Sequence, residues 1–241
     1  MKTHPNQMPV NTSSEQASKL HGVLKLLIAR SQRQKFVFQF TLMTLLGWVM
    51  GGIASIFIEK TLLRSLPSNV LQVHLLSSAV FAVIFAAAQA IALRHYLSVW
   101  LWIFATSAGW LAANSVSGAW INHISSIATS LNKTLSFREM VFFGALSTIA
   151  YILSGIWLGF LQWLVLRRYT TGAWWWSFLP SISYCSVSIL VWLFSQVQFL
   201  IPEPNRPEIL YLSGQLFTAI ILGVIPAIGF CRLKIKFQRS K

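Results

Sequence analysis

Aspartate is absent from this sequence, and glutamate occurs only five times in 241 residues. Proton- and sodium-coupled pumps are built on ionisable groups within the bilayer, and voltage sensors need several. Here no acidic or basic residue falls deep within an apolar run. The two cysteines, Cys185 and Cys231, fall in mid-run and at a run's end, which argues against a disulfide framework. No Cys/His spacing suits a metal, and no glycine-rich phosphate loop or paired catalytic constellation occurs. The sequence therefore implies no catalytic residue, no metal and no cofactor, and it does not read as an enzyme.

Charge of either sign is scarce as well. Charged residues make up 10% of the chain, against the ~25% usual in soluble domains. What fills the space is apolar: 55% hydrophobic residues and 11 tryptophans. Six runs of roughly 20 apolar residues can be drawn, at 36–58, 70–93, 97–121, 141–166, 173–194 and 209–230. At ~1.5 Å per residue each covers the ~30 Å of a bilayer's hydrocarbon core. The expected fold class is all-α, a polytopic membrane bundle of six transmembrane helices. A lead-in (1–35), a six-span domain (36–230) and a basic tail (231–241) complete it.

The formal charge of +14 has a topological reading rather than a nucleic-acid one. Lys2, Lys19, Lys25, Arg30, Arg33, Lys35, Arg94, Arg167, Arg168 and the tail basics (Arg232, Lys234, Lys236, Arg239, Lys241) fall on one side, with Glu15 alone among the acids. The other side holds Lys60, Arg64, Lys133, Arg138 and Arg206 with the remaining four glutamates. Lys and Arg in short flanking loops mark the cytoplasmic face, so both termini are expected there. The membrane would be a plasma or inner membrane, or a thylakoid in a cyanobacterium. The long outer connection 122–140 reads as a polar loop, and Pro202, Pro204 and Pro207 favour extended structure in the last one.

Before the first span, Thr12–Glu15 resembles a capping box. Leu20, Val23, Leu24, Leu27 and Ile28 follow at helical spacing among basic residues. This pattern predicts an amphipathic helix on the inner membrane surface.

The chain also resembles itself at an offset of 73 residues, from Gln89 to Gln162. Ala82, Ala86, Gln89, Leu93, Arg94, Tyr96 and Trp102 match Gly155, Gly159, Gln162, Leu166, Arg167, Tyr169 and Trp175. A degraded third copy keeps Ala219 and Gly223, has Pro226 for the glutamine, and carries Arg232 one residue late. Among the odd spans, Gly47-Trp48 and Gly109-Trp110 match, with Ile182-Ser183 in the fifth. Three related hairpins, spans 1–2, 3–4 and 5–6, are the economical architecture.

The small pairs Gly47/Gly51, Ala82/Ala86, Gly155/Gly159 and Gly223/Ala227 read as helix-packing faces. Gln89, Arg94, Gln162, Arg167 and Arg168 form a candidate polar motif at the inner face. The glutamines either frame an inner vestibule or, as the simpler reading, reach headgroups while the arginines snorkel. Thr106, Ser107, Asn114, Ser115 and Ser117 in the third span, and Ser177, Ser181, Tyr184 and Ser188 in the fifth, either line a cavity or bond to helix backbone.

The repeated helix end Gly159-Phe-Leu-Gln162-Trp163-Leu-Val-Leu166-Arg167-Arg168, with the Trp-rich span after it, resembles uncharacterised multi-pass membrane proteins frequent in cyanobacteria. A Gly-x-x-Gln-Trp-x-x-Leu-Arg helix end recurs in those proteins. The resemblance covers spans 2 to 5, with Ala90 replacing the tryptophan in the first copy, and implies no particular activity. The expected function is a non-enzymatic structural, accessory or assembly subunit of a membrane complex. Its partners would be anionic lipid at the basic inner face and a membrane protein or a second copy of itself, not nucleic acid. The alternative is a small-molecule permease or substrate-binding membrane subunit, its cavity lined by the hydroxyl-bearing third and fifth spans with Gln89 and Gln162.

Overall fold

In a computed structural model, residues 26–65, 70–130, 136–200 and 202–236 are described. Six long helices carry the chain: α1 (Arg33–Ser65), α2 (Val70–Leu93), α3 (Val99–Ser130), α4 (Phe137–Leu166), α5 (Leu179–Val197) and α6 (Arg206–Phe230). All six are long and apolar enough to cross a bilayer, α5 together with the 3-10 turn Ala173–Phe178 that precedes it. The protein is an all-α, multi-pass integral membrane protein. Large apolar side chains point outward along its flanks, among them Phe38, Phe57, Phe104 and Trp192, as a lipid-facing surface requires.

The helices meet the expected spans closely at the basic end and, except for α2, overrun them at the far end. The connection expected as a loop over 122–140 is helical as far as Ser130 and again from Phe137. Its polar hydroxyls are accommodated within the helix, where Ser126 and Thr129 donate to the carbonyls of Asn122 and Ser125, four residues back. Ser136 then caps α4. Its hydroxyl accepts from the Glu139 N–H, and the Glu139 carboxylate accepts from the Ser136 N–H at 2.7 Å. The prolines of the last connection also do something other than expected. Pro204 and Pro207 sit in the first turns of a short 3-10 helix (Glu203–Asn205) and of α6, where a missing N–H costs nothing.

Each helix packs on its neighbours in sequence, and α6 returns to α1, so the bundle is a closed ring. The closest approaches fall on small residues. A Cβ on Gly47 would meet that of Ala88 at 2.6 Å, and one on Gly109 would meet the Leu158 Cα at 2.9 Å. Between α4 and α5, Gly155 abuts Ser181 and Gly159 abuts the Ser177 carbonyl, and between α6 and α1, Gly223 abuts Thr41. Ala82, Ala86 and Ala227 are wholly buried.

Gly51, one turn beyond Gly47, lies in the same packing face. It is buried, but its neighbour is Phe81, whose ring and carbonyl would lie 3.1 and 3.2 Å from an added Cβ. Gly47 and Gly51 therefore lie against Phe85, Ala88 and Phe81 of α2, and Gly51 makes room for an aromatic ring. The approach of α1 to α2 is looser at Gly51 than at Gly47, because a ring fills the gap that the second glycine leaves. The third pair of helices departs from the other two as well, since α5 touches α6 less than α6 touches α1.

At the basic end the ring is filled by interlocked aromatics. Phe230 packs against Trp176 at 4.5 Å between ring centroids, Trp102 at 5.4 Å and Phe40 at 5.5 Å. Farther along, Trp48, Phe81, Phe85 and Trp110 form a second cluster. Such aromatic pairs add ~0.5–1.5 kcal/mol each beyond the area they bury.

The basic end is closed by extended backbone rather than by helix. Strand β1 (Thr170–Thr171) pairs antiparallel with β2 (Lys234–Ile235), and Leu26 bridges to Lys234. Leu27 N–H donates to the Leu233 carbonyl at 2.9 Å. This corrects the surface-helix expectation where it can be compared. Leu27 and Ile28 are buried in the aromatic core in a bend beside the tail, because the core beneath α1 and α6 offers them more apolar contact than a headgroup layer. Residues 12–25 of that expected helix, with its capping box, lie outside the described residues. The tail too is partly structural, since Cys231 and Leu233 are buried.

Candidate functional site

Gln89 and Gln162 lie one turn from the basic end of α2 and α4, and both are buried, at 4% and 6% exposure. Neither side chain is open to the surface of the bundle, and neither lines the cavities described below. Their amides turn inward to the preceding helix of the same hairpin. Gln162 Nε2 donates to Thr106 Oγ1 of α3 at 3.2 Å, and Gln89 Nε2 donates to Thr44 Oγ1 of α1 at 3.4 Å. Thr44 in turn donates to the Phe40 carbonyl at 2.8 Å. An amide in an apolar setting is costly unless paired, so each bond fixes the rotation of one helix against the next.

The two latches differ in completeness. In α4 the other end of the amide is also used, since Trp176 Nε1 donates to Gln162 Oε1 at 3.0 Å. In α2 the corresponding oxygen, Gln89 Oε1, is buried without a hydrogen-bond partner, and so is the Trp102 indole N–H. The tryptophan matched to Trp102 by sequence, Trp175, is only partly buried; Trp176 takes the buried place. The six-residue 3-10 turn before α5 advances the chain differently from the ordinary helix start before Trp102.

The third hairpin has no such latch among its described residues. Gly223 meets Thr41 as Gly159 meets Ser177, which sets Pro180 opposite the place of Thr44 and Thr106. Pro226 stands in the place of the glutamines. The same register makes Ser183-Tyr184, rather than Ile182-Ser183, the counterpart of Gly47-Trp48. Ser183 and Tyr184 are indeed buried, while Ile182 is exposed.

The arginines of the candidate motif are apart from the glutamines. Arg94, Arg167 and Arg168 are all exposed. Arg94 Nε lies 3.1 Å from His95 Nε2, and the Arg167 guanidinium sits 5.4 Å from the Trp163 ring centroid. The hydroxyls of α3 and α5 mostly serve backbone. Ser183, Ser186 and Ser188 donate to carbonyls four residues back, and Ser107 donates to Ala82 across the α2–α3 interface. Ser181 Oγ is buried without a partner.

Among the described residues no three His, Cys, Asp or Glu side chains come together as metal ligands. A groove of about 320 Å³ between α3 and α4 is lined by Trp120, Leu146, Leu153 and Trp157 and is almost wholly apolar. A second cavity, of about 600 Å³, lies between α1 and α6. Comparison with family models, curated proteins and solved structures gives no match.

Thr44 and Trp176 are the site residues that sequence reasoning missed. The signal for Thr44 is present, because Thr44-x-x-Gly47-Trp48 and Thr106-x-x-Gly109-Trp110 share a pattern. Trp176 carries no such mark, being one of three consecutive tryptophans.

Proposed function

We propose that the protein is a non-enzymatic structural or assembly subunit of a membrane complex, with both termini cytoplasmic and its basic end against anionic lipid. The observation that carries this reading is the use made of the two glutamines. The polar groups best placed to greet a ligand are spent on tying helices together, and aromatic rings fill the basic end of the ring. The interior then works as a rigid scaffold, and the outer faces are left for contact.

The matched latches of the first two hairpins support descent from one duplicated unit, with the third having lost its latch to prolines. The likeness to the cyanobacterial multi-pass proteins belongs to this reading and rests on the helix-end motif. The orientation rests on the asymmetry of Lys and Arg between the two ends.

Purification from native membranes in mild detergent tests the assignment. A defined larger complex in constant proportion is expected, and a 27.1 kDa monomer without companions overturns it. A permease remains the second reading, favoured by the buried, unpartnered Ser181 hydroxyl. It predicts that Ser181→Cys reacts with a membrane-impermeant maleimide; the scaffold reading predicts no reaction.

A further inference from the structure

Where α6 closes onto α1, the two helices touch at Gly223 and Thr41, and a Cβ on the glycine would come within 2.9 Å of the threonine Cα. From that contact to the basic end, the seam holds the cavity of about 600 Å³. Its sides are apolar, with Val37 and Phe38 from α1 and Val224 and Ile228 from α6. Its basic end carries two guanidinium groups, Arg33 and Arg232. Phe38 and Ile228 are exposed on the flank, so the cavity is open to the acyl region beside the bundle.

Two polar atoms there are buried without a partner, Arg33 Nε and Thr41 Oγ1. A buried guanidinium nitrogen with nothing to donate to is costly. The helix-end arginines of the other hairpins differ, since Arg94 lies on His95 and Arg167 lies over Trp163. No described carboxylate can serve Arg33 or Arg232, because Glu59, Glu139, Glu203 and Glu208 all stand at the far end.

We infer that this seam binds one anionic phospholipid, its phosphate between Arg33 and Arg232 and an acyl chain along the apolar walls of α1 and α6. The pattern of charge at one end and hydrocarbon along the rest matches a lipid and not a free phosphate or a peptide. Guanidinium forks suit phosphate oxygens in particular. This site deepens the proposed contact of the basic end with anionic lipid, and it names where one such lipid is held.

The full chain in detergent, examined by native mass spectrometry with added phosphatidylglycerol or phosphatidylcholine, tests the site. The unaltered protein should retain one phosphatidylglycerol in preference to phosphatidylcholine. Arg33→Gln with Arg232→Gln should weaken that retention about tenfold or more, while Arg94→Gln with Arg167→Gln leaves it. Equal losses in the two double variants overturn the seam site and leave the broader lipid contact standing. No preference for phosphatidylglycerol in the unaltered protein overturns both. A second measurement needs no arginine variant. Cys231 also lines the cavity, so its alkylation should be slower in phosphatidylglycerol vesicles than in phosphatidylcholine vesicles. If the Arg33/Arg232 variant does not fold, equal alkylation rates in the two vesicles overturn the site.

Discussion

Trp176 donates its indole N–H to the side-chain oxygen of Gln162 at 3.0 Å, and the same glutamine donates onward to Thr106. One amide thereby binds three segments: the end of α4, the early turns of α3 and the turn that begins α5. Gln89 binds two, through one longer bond.

Replacing the two glutamines should therefore have unequal costs. Gln162→Ala strands a buried indole N–H and should cost about 1–3 kcal/mol, whereas Gln89→Ala should cost about 1 kcal/mol or less. Unfolding of the detergent-solubilised protein measures both. Equal losses would remove the distinction between the two latches. Trp176→Phe combined with Gln162→Ala should cost less than the sum of the single changes.

Helix approach makes a second contrast. A Cβ at Gly159 would run into the Ser177 carbonyl, while one at Gly214 would meet nothing within 4 Å. Gly159→Ala should destabilise by about 1–3 kcal/mol through overpacking. Gly214→Ala should be neutral or stabilising by up to about 1 kcal/mol, since alanine suits a helix interior better. Thermal melting in the same detergent decides; similar effects at both sites would refute the close approach of α4 to α5.

Thiol chemistry reports on the seam. Burial pushes the Cys231 thiol above its ordinary range, and the Arg33 cation acts in the opposite, weaker sense. Arg33→Gln removes that opposition, so the pH profile of Cys231 alkylation, measured in a Cys185→Ser background, should move to higher pH. A move to lower pH would show that Arg33 does not act on the thiol. The sign for stability follows. The unfolded thiol ionises first, so this contribution is full below the ordinary thiol range and is lost as pH rises from there through the folded value.

Topology can be read directly. Reporters fused after Arg168 and after Lys236 should face the cytoplasm, and one fused after Glu203 should face the opposite side. A reporter after Arg168 on the same side as one after Glu203 would contradict the charge-based orientation.

Much of this architecture was legible in the residues themselves. The apolar runs located all six helices, and the recurrence of Gln89 as Gln162 marked the positions where helices are latched. Less legible were features set by partners distant in sequence. The polarity of Gln162 showed that it needed a partner, but only packing determined that Thr106 and Trp176 would supply it. The spacing of Gly47 and Gly51 marked a packing face, but not that the second glycine would seat the Phe81 ring. Leu27 and Ile28 have a spacing suited to an amphipathic helix, yet burial in the core and a backbone hydrogen bond from Leu27 to Leu233 outweigh that local preference. Likewise, Ser126 and Thr129 look like loop residues until their hydroxyls are seen to bond within the helix.

The pairing of Leu26 with Lys234 has a consequence for biosynthesis. Leu26, ahead of the first helix, is stitched to a strand that leaves the ribosome only after every helix has been made. Until then α1 has no α6 beside it, and Thr41 and Arg33 stand on an open flank. Ring closure thus waits for the last helix, and a chain truncated before α6 would present to the cell's quality-control machinery the Thr41 flank of α1 that Gly223 covers in the finished molecule.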